Sequence, residues 1–128
     1  MKNKKIIVPA LVLSLATAAF FIFRTYGRNP VLLDENDLVF FSKDGCPYCA
    51  QEQDFLDEFK KDYPQIKIKK LDIADAKNAG LLNKLYQKYQ VPQDLQDFVP
   101  ATFLEDKYFV GYDDTAKEGI KNYFSNQK

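Results

Sequence analysis

The two cysteines of this chain are separated by two residues, as Cys46-Pro47-Tyr48-Cys49, and the sequence changes character across them. Before them stands the apolar run Leu38, Val39, Phe40, Phe41, bounded by polar residues and closed by Lys43-Asp44-Gly45. A short continuous apolar run between turn signals predicts a buried strand over residues 37–42. After them, Phe55, Leu56 and Phe59 share one face among Glu52, Asp54, Asp57, Glu58, Lys60 and Lys61, which predicts a surface helix over residues 47–62 with one buried stripe. The thiols therefore sit where a strand turns into a helix. A helix N-terminus stabilises a thiolate on the first sulfur, and the two-residue spacing lets the pair close a small disulfide. Pro47 suits the first helical turn, where its missing N–H would have no intrahelical partner. The arrangement reads as a redox-active dithiol.

Beyond Tyr63-Pro64, the alternation of Ile66 and Ile68, then Leu71 and Ile73, predicts a second strand with a shift of register at Lys70-Leu71. Asp75 is placed to cap a helix over residues 76–90, on which Leu81, Leu82, Leu85, Tyr86 and Tyr89 recur at helical spacing. Residues 92–97 are polar and predict a loop. Two short apolar runs, Ala101 to Leu104 and Tyr108 to Tyr112, flank Glu105-Asp106-Lys107 and predict a hairpin. Thr115 with Glu118 three residues on reads as a capping box for a terminal helix carrying Ile120, Tyr123 and Phe124. The order is βαβαββα.

The N-terminal end has another character. Residues 6–23 hold no charged side chain and follow Lys2, Lys4 and Lys5. About 17 to 25 apolar residues span a bilayer, so a single N-terminal hydrophobic helix in residues 1–23 is expected to act as a membrane anchor. A cleaved signal peptide is the alternative, with Ala16-Thr17-Ala18 as small residues near a cleavage point. Phe20, Phe21, Ile22 and Phe23 carry the apolar run past those residues and favour the anchor. The lysines before the segment outnumber Arg24 and Arg28 after it, which favours a cytoplasmic N-terminus and a catalytic domain on the extracytoplasmic side, in the periplasm or at the cell exterior. The expected organisation is an anchor in residues 1–23, a linker in 24–36 and one domain in 37–128.

The formal charge is zero, yet all 18 acidic residues follow residue 28, whereas five of the 18 basic ones precede it or stand at it. The remaining domain is therefore net acidic, which disfavours nucleic acid as a partner. There is no histidine, which removes a His-assisted nucleophile and the commonest transition-metal ligand. Two thiols cannot complete a tetrahedral zinc site in one chain, so no metal is expected. Copper delivery would want a third soft ligand, and the single methionine is Met1.

With a CxxC between the first strand and helix and an X-Pro opening the hairpin, this order resembles the thioredoxin fold over residues 36–126. The local text is most similar to glutaredoxins: Val39-Phe40-Phe41-Ser42-Lys43 leading to Cys46-Pro47-Tyr48-Cys49, then Val99-Pro100, then Gly111-Tyr112-Asp113-Asp114. The resemblance implies an α/β domain with a central mixed sheet of about four strands flanked by helices. It implies a cis bond before Pro100, with the Val99 backbone pairing with bound substrate. Pro47 and Tyr48 would border the same substrate groove.

The sequence departs from that pattern at several points. Glutaredoxins carry two glycines where this chain has Val110-Gly111, and the added branched side chain disfavours glutathione. No cofactor is expected beyond the Cys46–Cys49 redox disulfide. Residues 92–97 look like an insertion, and the N-terminal anchor fits membrane-tethered, thioredoxin-like proteins of bacterial envelopes. Thioredoxins hold a buried acid six residues before the first cysteine, where this chain has Phe40. Lys70 and Asp44 are the alternatives for a proton acceptor.

Cys46 is expected to be the nucleophile, being nearer the helix N-terminus, and Cys49 to resolve the mixed disulfide. Lys43 is a candidate stabiliser of the thiolate. A purely structural disulfide is disfavoured, because so small a loop constrains the unfolded chain little. Two other readings stay open: a disulfide-forming oxidant, and a non-catalytic binding module of the same fold. The resemblance favours a reductant, monomeric, exchanging with protein thiols and disulfides near the membrane surface and recharged by a membrane electron or disulfide carrier.

Overall fold

Strand β1 (Asp37–Ser42) runs through the middle of the sheet in the computed structural model, which describes residues 33–127. It leads into α1 (Pro47–Asp62), β2 (Lys67–Asp72) and α2 (Ala76–Lys88), then β3 (Ala101–Phe103), β4 (Tyr108–Val110) and α3 (Asp114–Ser125). The strand order is β2-β1-β3-β4. β1 pairs parallel with β2 and antiparallel with β3, and β3 pairs antiparallel with β4. This is the mixed four-stranded sheet of a thioredoxin-like α/β fold. The expected anchor in residues 1–23 and the linker up to residue 32 lie outside the described residues. Among the described residues, no helix is long and apolar enough to cross a membrane.

Four consecutive apolar residues fit on β1 because both faces of the sheet are covered. Leu38 and Phe40 enter a cluster with Leu56 and Phe59 of α1 and Ile120, Tyr123 and Phe124 of α3. Val39 and Phe41 enter a second cluster with Leu82, Leu85 and Tyr86 of α2 and Phe103 of β3. Leu38, Phe40 and Phe41 are fully buried. Each such side chain contributes about 1.5–3 kcal/mol relative to exposure.

The expected register shift in β2 does not occur. Pairing with β1 is continuous from Asp37 opposite Lys67 to Ser42 opposite Asp72. The apolar positions change parity because Ile66 and Ile68 face the α1/α3 cluster, whereas Leu71 and Ile73 face the α2 cluster. A strand serving two layers needs no bulge to change parity.

Asp75 caps α2, accepting from the Lys77 N–H at 2.7 Å. The capping box expected at Thr115 is replaced by a cap two residues earlier. Asp113 is the N-cap of α3, its carboxylate accepting from the Ala116 N–H at 2.9 Å, which leaves Thr115 inside the first turn. Residues 92–97 are not wholly irregular, since Gln93–Leu95 forms a 3-10 turn. Tyr89, the C-cap of α2, ties that helix to the hairpin by donating its hydroxyl to the Leu104 carbonyl.

Candidate functional site

The chain leaves β1 through Lys43-Asp44-Gly45 and enters α1 at Cys46. Gly45 has φ +71°, a left-handed conformation that a residue without Cβ adopts at little cost. Its N–H donates to Asp44 Oδ1 at 3.0 Å. Cys46 is the N-cap of α1, and its sulfur accepts the Cys49 N–H at 3.1 Å. Pro47 fills the first turn. A helix N–H aimed at Sγ favours the thiolate over the thiol whenever the pair is reduced.

Cys46 and Cys49 are joined as a disulfide with Cα atoms 5.2 Å apart. Cys46 is half-buried, whereas Cys49 is 4 % exposed. An incoming sulfur therefore reaches Cys46 first. This asymmetry suits Cys46 to nucleophilic attack and Cys49 to resolution from within.

Two depressions flank the pair. One, of about 820 Å³, is lined by Ser42, Lys43, Asp44, Cys46, Cys49 and Lys70, among others. Lys43, Lys70 and Asp44 thus border the dithiol, and all three are exposed. The other, of about 470 Å³, runs past Tyr48, Leu95, Phe98, Val99, Val110 and Tyr112. Tyr48 and Phe98 are the exposed large apolar side chains among the described residues. The Val99–Pro100 bond is cis, and the Val99 carbonyl oxygen lies 3.8 Å from Cys46 Sγ. The Pro100 carbonyl accepts the Gly111 N–H at 2.8 Å, which pins the proline loop to the segment after β4.

Glu52 contradicts the expected solvent face of α1. It is 1 % exposed, and Thr102 Oγ1 of β3 donates to its Oε1. Burial pushes the carboxyl up to about 7 from its usual 4.5, and the Thr102 bond offsets part of that rise. The signal in the sequence is spacing: Cys49, Glu52, Leu56 and Phe59 are the buried positions of α1 and recur at three- and four-residue steps. Among the described residues, no group of three or more His, Cys, Asp or Glu side chains is placed to share a metal ion.

A dithiol at the N-terminus of the first helix of a thioredoxin-like sheet, opposite a cis-proline loop, defines a thiol-disulfide oxidoreductase of the thioredoxin superfamily. Residues 32–108 match the family model of TraF, the F plasmid transfer operon protein, and the chain belongs to that family. Among solved structures, the chain is similar to a glutaredoxin from Archaeoglobus fulgidus, with a TM-score of 0.51 and 18% identity over 77% of this chain and 97% of that one. It is also similar to oxidised thioredoxin O2 from Arabidopsis thaliana, with a TM-score of 0.53 and 19% identity over 70% of this chain and 72% of that one. No curated protein sequence matches the chain.

Proposed function

We propose that this protein is a membrane-tethered reductant of protein disulfides on the extracytoplasmic side of the cytoplasmic membrane. The observation that carries the choice of a protein substrate is the apolar groove beside Cys46. Tyr48 and Phe98 are 57% and 58% exposed on it, a wide apolar rim that suits an extended polypeptide better than a small polar thiol. Val110 lines the same groove. An extended segment there would lie along the Val99 backbone, and its cysteine would meet Cys46.

In the reductive direction, the Cys46 thiolate attacks the substrate disulfide, releasing one substrate thiolate and leaving the other sulfur bonded to Cys46. The Cys49 thiolate then attacks Cys46, forming the internal disulfide and releasing the second substrate thiolate. A membrane electron carrier would restore the dithiol. Lys43 and Lys70 are the cations at hand for the developing thiolate. The tether is supported by the uncharged residues 6–23 behind Lys2, Lys4 and Lys5.

Equilibration of the full chain with defined thiol buffers, read by alkylation of Cys46 and Cys49, tests the direction. A potential near about −270 mV supports a reductant, and one near about −120 mV makes the protein a disulfide donor instead. Extraction of membranes at alkaline pH tests the tether: retention of the full chain and release of a variant lacking residues 1–23 are expected.

A further inference from the structure

The reaction requires a proton to leave Cys49, and Cys49 is 4 % exposed. Its thiol must become a thiolate before it attacks the mixed disulfide at Cys46. Lys43, Lys70 and Asp44 are exposed residues of the depression that Cys46 and Cys49 also line. Among the described residues, Glu52 is the carboxylate that is buried. It stands three residues after Cys49 on α1, so the two side chains are neighbours on one helix face, with Cβ atoms about 5–6 Å apart.

The sheet fixes the other side of this carboxyl. Its partner Thr102 pairs across the sheet with Phe40, so both strand residues face the layer that holds Cys49 and Leu56. Phe40 and Cys49 share one buried cluster. Here the strand offers a phenyl ring, and the helix brings a carboxyl to the adjoining strand position instead. The Thr102 hydroxyl holds Oε1, leaving Oε2 for a proton.

We propose that Glu52 is the proton acceptor of Cys49 during resolution and its proton donor in the reverse reaction. In resolution, the Cys49 Sγ–H proton passes to the Glu52 carboxylate. The Cys49 thiolate attacks Cys46 Sγ, the Cys46–Cys49 bond forms, and the bond from Cys46 to the substrate sulfur breaks with loss of substrate thiolate. The pair is oxidised and the substrate sulfur is reduced. In the reverse reaction Cys49 leaves as a thiolate and takes the proton back from Glu52. A carboxyl that titrates near 7 exchanges a proton in both senses at neutral pH. The groups facing it are Cys49 on its own helix, the Thr102 hydroxyl from β3, and the Tyr112 phenol beyond β4, which feels the Glu52 charge.

The inference rests on the dithiol chemistry and is independent of its physiological direction. It is tested on the reduced full chain with a synthetic aromatic disulfide, 5,5′-dithiobis(2-nitrobenzoate). The first thionitrobenzoate released reports attack by Cys46, and the second reports resolution by Cys49. Glu52→Gln is expected to leave the first release unchanged, to slow the second about 100-fold at neutral pH, and to remove an inflection near pH 7 from its rate profile. An unchanged second phase with an unchanged profile would overturn the proposal. Absence of both releases from the parent protein would instead defeat the oxidoreductase chemistry itself. If the variant does not fold, carbon NMR of the Glu52 carboxyl in the parent protein decides: its midpoint must differ between disulfide and dithiol forms, and one midpoint in both overturns the assignment.

Discussion

Thr102 donates its hydroxyl to Glu52 across the apolar layer between β3 and α1, and both residues are buried. Thr102 lies two residues beyond the cis bond at Pro100, and Glu52 lies three residues beyond Cys49. One polar contact therefore joins the strand that follows the cis-proline to the helix that carries the disulfide.

Thr102→Val keeps the shape of the side chain and removes its hydroxyl. The Glu52 carboxyl would lose its hydrogen-bond partner, and a buried acceptor left unsatisfied costs about 1–3 kcal/mol. The carboxyl should also titrate higher than in the parent, since the Thr102 bond is what lowers it. Urea unfolding at pH 8 should register the loss. Equal midpoints for parent and variant would show that the contact adds no stability.

Glu52→Gln should act on stability with a particular pH dependence. The folded carboxyl titrates at about 7 and the unfolded one at about 4.5, so the folded protein binds the proton more tightly. Below about pH 4.5 both forms are protonated and the carboxyl exacts no penalty. Between 4.5 and 7 the unfolded chain ionises while the folded one does not, so stability falls as pH rises. Above 7 the loss levels off at about 3 kcal/mol, from 1.36 kcal/mol per unit. The glutamine variant should therefore be the more stable protein at pH 8 and close to the parent at pH 4, as thermal unfolding across that range would show.

Much of this was legible in the chain because local rules and tertiary demands agree there. β1 and α1 were expected over residues 37–42 and 47–62, the spans they occupy, since the apolar run and the amphipathic stripe have different periods. Glu52 is not legible from residue type, since a glutamate among charged neighbours reads as solvated and its partner Thr102 lies fifty residues away. The parity change in β2 suggested a register shift because pattern alone does not tell a bulge from a strand covered on both faces. Leu95 lines the groove from residues 92–97, whose polar composition predicted only a loop, and Phe98 follows directly after them.

The cap of α3 offers a discriminating pair of substitutions. Asp113→Ala removes the carboxylate that accepts the Ala116 N–H and should cost about 1 kcal/mol in denaturant unfolding. Thr115→Ala, within the first turn, should change stability by no more than a few tenths of that. The reverse order would restore the capping box at Thr115.

The asymmetry of the two sulfurs can be read from trapped intermediates. Cys49→Ala should accumulate mixed disulfides between Cys46 and protein substrates, visible as reducible high-mass species on non-reducing gels. Cys46→Ala should accumulate few, because Cys49 is 4 % exposed. Equal trapping by both variants would remove the assignment of Cys46 as the attacking sulfur. Absence of trapping by Cys49→Ala would favour a binding module over an enzyme.

The groove makes a separate demand on substrate size. Tyr48 and Phe98 are more than half exposed and flank the Val99 backbone, so an extended polypeptide would cover their rings while a small disulfide would touch only the sulfurs. Burying a large aromatic surface contributes on the order of 1–2 kcal/mol, enough for roughly a tenfold change in affinity. Tyr48→Ala and Phe98→Ala should each raise KM for a disulfide-bonded protein substrate by about that factor, with little change in kcat. The rate of Cys46 with a small aliphatic disulfide should stay within about twofold for Phe98→Ala, which lies outside the CxxC turn. Parallel losses with both substrates would mean that Phe98 shapes the dithiol itself, and the groove would no longer mark a polypeptide site.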